Sequence, residues 1–133
     1  MMQRSYPTVP TLAEFDAIAR RVFAAMPIEF RRMCDGVLIQ TAEFPDNETL
    51  DMMEIDSPYG LLGLYSGVDL TRKSIMQTGT QPDMVFLYRQ PILAFARQND
   101  EDLLRVIAHV LIHEIGHHFG LSDDDMHSLQ DED

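Results

Sequence analysis

Residues 109–125 read HVLIHEIGHHFGLSDDD, and this segment is the one place where residue types and spacing together specify a chemistry. It contains the pattern HExxH and extends to HExxHxxGxxD, with defining residues His113, Glu114, His117, Gly120 and Asp123. On an α-helix, residues four apart lie about 40° apart around the axis and roughly 6 Å apart along it. The imidazoles of His113 and His117 can therefore reach one zinc ion at about 2.0–2.1 Å.

The other motif residues supply what two histidines lack. Glu114 lies about 100° around the helix from His113, close enough to contact a zinc-bound water, which is the position of a general base. Gly120 can adopt a positive φ, so the helix can end there and the chain can fold back. Asp123 would then return toward the ion as an oxygen ligand. His127 also lies beyond Gly120, and histidine is a common zinc ligand, so it competes with Asp123 for this role.

The helix that carries the motif should be central. Asn99 is a suitable N-cap and acidic residues follow it, so we predict a helix from Asn99 to about His118. Its apolar residues cover most of the circumference, which predicts burial on several sides. His109 lies two turns from His117, about 12 Å away, too far to bind the same ion. We expect His109 to be a buried, hydrogen-bonded residue or to support a ligand.

The rest of the chain predicts short helices and strands. Thr11 and Glu14 form a capping box for a helix over 11–26, which Pro27 interrupts. Further helices are expected at 28–33, 48–54 and 92–97, and strands at 37–44, 61–67 and 84–89, with a surface loop over 72–82. In the helix at 48–54 we expect three side chains to point inward: Leu50, Met53 and Met52.

Composition limits the classes of function. The chain has 133 residues and 45% hydrophobic residues, which predicts one globular domain over 1–133. Its net charge of −12 argues against binding to nucleic acid or to anionic membrane surfaces, because both require Lys and Arg. We find neither an apolar signal segment nor a membrane-spanning run, so we expect a cytoplasmic protein. Cys34 is the single cysteine and is predicted to pack among apolar neighbours.

Residues outside the motif could assist catalysis. Tyr65, Tyr88 and Arg89 are candidate hydrogen-bond donors to a tetrahedral oxyanion, although packing is the more common role for each residue type. An exposed strand at 84–89 could also pair with an extended peptide and place its carbonyl near the metal.

With these motifs, the chain resembles the zincin-like family of short bacterial metallopeptidase-like proteins. The resemblance is carried by the segments 62–68, 82–92 and 113–123. It implies a compact α+β zincin core, in which a small mixed β-sheet packs on a central active-site helix. It also implies zinc as the cofactor, with His113, His117 and Asp123 as ligands and Glu114 as catalytic base. Because only sixteen residues follow His117, we expect no separate Met-turn subdomain of the metzincin kind.

Two hypotheses of function follow from the sequence. The first is a minimal zinc-dependent metallopeptidase that hydrolyses a peptide or an unfolded polypeptide. The second is a non-catalytic or weakly catalytic metal-binding protein whose acidic surface binds a partner. An open fourth coordination position favours the first hypothesis, whereas a fourth protein ligand such as His127 favours the second.

Overall fold

The structure is a computed structural model that describes residues 9–67 and 83–118. Within these ranges the chain forms five α-helices and a small three-stranded mixed sheet, an α+β fold, as predicted. None of the helices in the described ranges combines the length and the hydrophobicity that would let it cross a lipid bilayer. The loop predicted over 72–82 lies outside the described residues.

The first half of the chain follows its local sequence signals closely. Helix α1 spans Leu12–Ala24, and the capping box is confirmed because the side chains of Thr11 and Glu14 each accept a hydrogen bond from the other's backbone N–H. After Pro27 the chain continues as α2 (Ile28–Met33), β1 (Val37–Ala42) and α3 (Asn47–Met53).

The second half supplies the remaining strands and the long helix. A short 3-10 turn at Pro58–Gly60 leads into β2 (Gly63–Ser66), and β3 spans Asp83–Tyr88. Helix α4 (Arg89–Gln98) follows β3 directly, and α5 (Leu103–His118) is the helix that carries the HExxH motif.

The sheet has the order β1-β3-β2, so β3 is its central strand. Strands β1 and β3 are parallel, with Val37 opposite Asp83, whereas β2 and β3 are antiparallel. The prediction that the strand at 84–89 is exposed and could pair with a peptide is therefore wrong, because both of its edges are already hydrogen-bonded. In the described part of the chain, the edge strand beside α5 is β2.

The core lies between one face of the sheet and helices α1 and α5. Helix α5 contacts α1, α4, β2 and β3, which confirms its central position. The side chains that are fully buried there come from α1, β3, α4 and α5: Phe15, Val85, Leu87, Ile92, Ile107, Leu111 and Ile115.

Cys34 is a core residue, as predicted. Its side chain is buried, and its thiol donates a hydrogen bond to the carbonyl of Phe30 at 3.2 Å. Burial raises the pKa of the Cys34 thiol to about 11, because removing water disfavours the thiolate. The residue is therefore a neutral packing group at physiological pH.

Two local predictions are wrong. Asn99 caps the C-terminus of α4 rather than the N-terminus of α5, because its amide donates to the carbonyl of Phe95. The long helix begins only at Leu103, after Asp100 with a positive φ of 51°. In α3, Leu50 points inward as expected, but Met52 and Met53 are 73% and 44% exposed.

Candidate metal centre

The two motif histidines lie on one side of α5. The ring centroids of His113 and His117 are 5.5 Å apart, and the ring planes are inclined by 61°. Two imidazoles that bind a tetrahedral ion at about 2.0–2.1 Å have ring centroids about 5 to 6 Å apart. The ring spacing of this pair therefore matches that of two imidazoles sharing one zinc ion.

Glu114 projects from α5 between the sheet and the histidine pair. Its side chain is only 13% exposed, whereas that of His117 is 43% exposed. Its Oε1 lies 3.6 Å from Nδ1 of His117, too far for a hydrogen bond but close enough for electrostatic interaction. The carboxylate is thus held beside the histidine pair, with its mobility limited by packing.

Close packing of β2 against α5 brings the sheet edge to Glu114. A Cβ atom built on Gly63 would lie 2.6 Å from Cγ1 of Val110 and 2.9 Å from the carbonyl oxygen of Phe86. Only a residue without a side chain fits there. Gly63 therefore sets the distance between the edge strand and the turn of α5 that carries Glu114.

A cleft of about 490 Å³ opens along this contact. One wall is α5 and the other is the segment that leads into β2, with α4 at one end. The residues that line it are Gly60, Leu61, Leu62, Gly63, Phe95, Glu101, Arg105, Val106, His109, Val110, His113 and Glu114. His113 and Glu114 therefore face a space large enough for a segment of peptide.

Among residues 9–67 and 83–118, no group of three His, Cys, Asp or Glu side chains is placed to hold a metal ion. The described part of the chain contains two of the three predicted ligands, His113 and His117. Gly120, Asp123 and His127 lie outside the described residues, so the choice between Asp123 and His127 stays a prediction.

Comparison with known proteins identifies the family. A zincin-like metallopeptidase profile matches residues 34–132, which is most of the chain. The chain belongs to the zincin-like metallopeptidase family. No curated protein matches it. Among solved structures it is similar to a conserved hypothetical protein from Thermus thermophilus, with 20% identity, a TM-score of 0.47 and coverage of 92% of this chain and 100% of that one.

In this member of the zincin-like metallopeptidase family, the position of His109 differs from our expectation. It is exposed rather than buried, and it lines the cleft one helical turn before His113. The two rings are stacked, with centroids 6.1 Å apart and planes inclined by 17°. The predicted burial is therefore wrong, and support of His113 by His109 stays a prediction.

The three candidate oxyanion donors lie at different positions around the sheet. The guanidinium of Arg89 donates to the carbonyl of Pro10 at 2.8 Å and to the carboxylate of Glu43 at 2.6 Å, so Arg89 connects the N-terminal segment to the sheet. Tyr65 is opposite Val85 and shares its core-facing side of the sheet. Of the three candidates, Tyr65 is therefore the one on the sheet face that packs against α5.

Tyr88 lies on the other face of β3, stacked on Phe86. Burial raises the pKa of Tyr88 to about 12, and the negative charges of Asp46 and Glu114 add to the effect. The phenol therefore stays protonated over the physiological range, and the carboxylate of Glu114 acts on it electrostatically.

Several cleft residues were missed by reasoning from the sequence. Gly63, Phe95 and Arg105 come from three different elements, and each looks ordinary in its own segment. For Gly63, the signal that could have found it is a glycine inside a predicted strand, which often marks a close backbone approach. For Phe95 and Arg105 no local signal exists, because only the packing of α4 and β2 against α5 places them on one cleft.

Proposed function

We propose that this protein is a zinc-dependent peptidase that hydrolyses peptide bonds in a peptide or an unfolded polypeptide. The observation that carries the proposal is the position of His113, His117 and Glu114 on one helix, with His113 and Glu114 on the wall of an open cleft beside a strand edge. Membership of the zincin-like metallopeptidase family supports the same function.

The proposed metal ligands are His113, His117 and Asp123. The first two have the ring spacing that a shared ion requires. When bound, zinc supplies a Lewis acid that polarises a carbonyl group and lowers the pKa of a water ligand toward about 7. A set of three protein ligands, rather than four, would be typical of a catalytic zinc site.

Glu114 is the proposed general base. Its side chain is largely shielded from solvent, and its carboxylate lies next to one ligand, within reach of the space in front of the histidine pair. It takes a proton from the attacking water and delivers it to the amine that leaves when the C–N bond breaks. One carboxylate thus serves both proton transfers.

The substrate would bind as an extended chain along β2. The N–H of Tyr88 donates to the carbonyl of Leu62, so these two residues form a hydrogen-bonded pair. Along an antiparallel ladder, hydrogen-bonded and non-hydrogen-bonded pairs alternate, so the next pair, Gly63 and Leu87, is not hydrogen-bonded. The backbone N–H and C=O of Gly63 therefore point away from β3. They can pair with a peptide that adds to this edge. Because Gly63 also contacts the turn of Glu114, a peptide bound there has its backbone close to the base.

The test is the substitution Glu114→Gln, which keeps the side-chain volume and all three proposed ligands. Zinc content, measured by atomic absorption on desalted protein, should stay near one per chain. Hydrolysis of a mixed peptide library, followed by mass spectrometry, should fall by about 10²–10⁴-fold or more, the range for general acid–base catalysis. If Glu114→Gln cleaves as fast as the parent protein, Glu114 is not the base. If the zinc-loaded parent cleaves nothing in a broad library, the peptidase proposal fails.

A further inference from the structure

The cleft extends well beyond the proposed catalytic residues, and its far end carries a charge that the reaction does not use. Arg105, on α5 two turns before His113, lines this part of the cleft, and the exposed side chain of Phe95 on α4 also lines the cleft. It is the only arginine or lysine among the described residues that line the cleft. A guanidinium in a groove bordered by apolar surface is a specific recognition element for a carboxylate.

The charge of Arg105 is not neutralised within the described part of the protein. Residues 9–67 and 83–118 contain ion pairs at Arg20 and Arg89, but Arg105 makes no ion pair with any described residue. This contrast matters in a protein of net charge −12, where most surfaces repel an acidic ligand. Arg105 therefore places a positive charge inside the cleft, where it can attract an acidic substrate.

We propose that Arg105 is a specificity-determining residue, and that the cleft selects peptides carrying a carboxylate at one defined distance from the cleaved bond. This inference rests on the proposed peptidase function and names its substrate class. Arg105 precedes His113 by eight residues, or about 12 Å along the helix axis. An extended peptide advances about 3.3 Å per residue, so the carboxylate lies three to four residues from the bond, on one side only.

Glu101 provides an internal control of opposite charge. It also lines the cleft, and it precedes Arg105 by four residues, just before α5 begins at Leu103. Replacing Glu101 with Gln removes a negative charge near Arg105, so it should leave the preference for an acidic peptide intact or strengthen it. A general loss of folding or of cleft shape, in a variant of Glu101 or of Arg105, would instead lower cleavage of every peptide.

The experiment begins with the cleavage sites that the zinc-loaded protein produces in a mixed peptide library, aligned on the cut bond. Defined decapeptides with amidated C-termini are then made with Asp, Asn or Lys at the selected position. The Asp peptide should have a kcat/KM about two- to fivefold above that of the Asn peptide, mainly through KM, as expected for an exposed ion pair. Arg105→Gln should abolish this ratio, Arg105→Lys should retain it, and Arg105→Glu should transfer the preference to the Lys peptide.

A second arm identifies where the carboxylate comes from. A neutral peptide that ends three or four residues after the cut bond is compared as the free acid and as the amide. If Arg105 causes a preference only for the free acid, the site recognises the C-terminal carboxylate of the peptide. A preference for internal Asp in amidated peptides would mean that it reads a side chain. Either result supports the inference.

Binding separates failure of this inference from failure of the peptidase proposal. Fluorescein-labelled Asp, Asn and Lys peptides are titrated against Glu114→Gln protein, with and without the change Arg105→Glu, and fluorescence anisotropy is measured. Tighter binding of the Asp peptide that reverses in Arg105→Glu supports the inference even if no bond is cleaved. Cleavage without a one-sided acidic preference, a preference that survives Arg105→Gln, or no binding of any peptide would overturn it.

Discussion

A Cβ atom built on Gly63 would lie 3.3 Å from the Cγ atom of Glu114. The edge strand therefore approaches the proposed base so closely that even a methyl group at position 63 would touch the Glu114 side chain. This close approach makes the position of the carboxylate depend on the position of β2, which is itself fixed by pairing with β3. A substitution at the strand edge should consequently shift the carboxylate of Glu114.

Gly63→Ala should both destabilise the protein and lower its activity. The added methyl group overlaps Val110 and the carbonyl of Phe86, and overpacking of this kind costs typically about 1–3 kcal/mol. We expect a lower midpoint of urea unfolding and a fall in peptide cleavage at temperatures where the variant is still folded. Gly36→Ala is the matched control, because Gly36 has open space around it and a φ of 85°. It should cost about 1–2 kcal/mol through backbone strain alone and leave cleavage unchanged.

Zinc affinity should distinguish the ligand pair from its neighbour on the helix. His113→Ala and His117→Ala should each lose the bound metal on desalting, because two remaining ligands hold zinc weakly. His109→Ala should retain about one zinc per chain, since His109 lies about 12 Å along the helix from His117. Competition with a chromogenic chelator measures all three affinities. Retention of metal in both ligand variants would refute the assignment, as would a parent protein that cannot be loaded with zinc.

The third ligand can be assigned by comparing two substitutions beyond the helix. We expect Asp123→Ala to release zinc and His127→Ala to retain it, because the HExxHxxGxxD spacing favours Asp123. In a zinc-loaded crystal, a carboxylate oxygen of Asp123 should lie about 2.0–2.2 Å from the metal. An imidazole nitrogen of His127 at that distance, with Asp123 turned to solvent, would give the opposite assignment.

The raised pKa of Tyr88 predicts a loss of stability at alkaline pH. The folded-state pKa of about 12 lies above the ordinary value of 10.0, because burial and two carboxylates disfavour the phenolate. The stabilisation is therefore complete below pH 10 and is lost as the pH rises toward 12, since the unfolded chain ionises first. Its upper limit is about 3 kcal/mol, corresponding to roughly two pKa units.

Tyr88→Phe isolates this contribution. The variant cannot ionise at position 88, so its free energy of unfolding should fall less steeply than that of the parent between about pH 9 and pH 11.5. Urea denaturation at a series of pH values measures both curves. Parallel curves would show that Tyr88 titrates with an ordinary pKa in the folded protein.

Local signals predicted the elements whose ends are determined by nearby residues. The capping box of Thr11 and Glu14 marks the start of α1, and Pro27 separates α1 from α2. Asn99 was assigned wrongly because one residue type can cap either end of a helix, and tertiary packing of α4 decided between them. In α3, the period of the apolar residues did not show which methionines face the core.

The candidate site likewise has a part that the sequence predicted and a part that it did not. The i, i+4 spacing of His113 and His117 is a property of the helix itself, so the sequence predicted their shared face. The cleft depends on contacts between segments far apart in sequence, such as Gly63 with Val110, and no pattern within one segment contains that information. Arg105 is the clearest case. Its distance from His113 follows from the helix, but the two residues line one cleft only because β2 and α4 pack against α5.

The pairing of β1 with β3 has a consequence for synthesis of the chain. Arg89 and Glu43, which form an ion pair at the end of these strands, are separated by 46 residues. A ribosome therefore completes β1 well before its partner strand exists, and Ile39 and the core face of α1 stay uncovered during that interval. Contacts with such a large sequence separation form slowly, and exposed apolar surface promotes aggregation. The nascent chain is thus a candidate for chaperone binding until α5, which ends at His118, has left the exit tunnel.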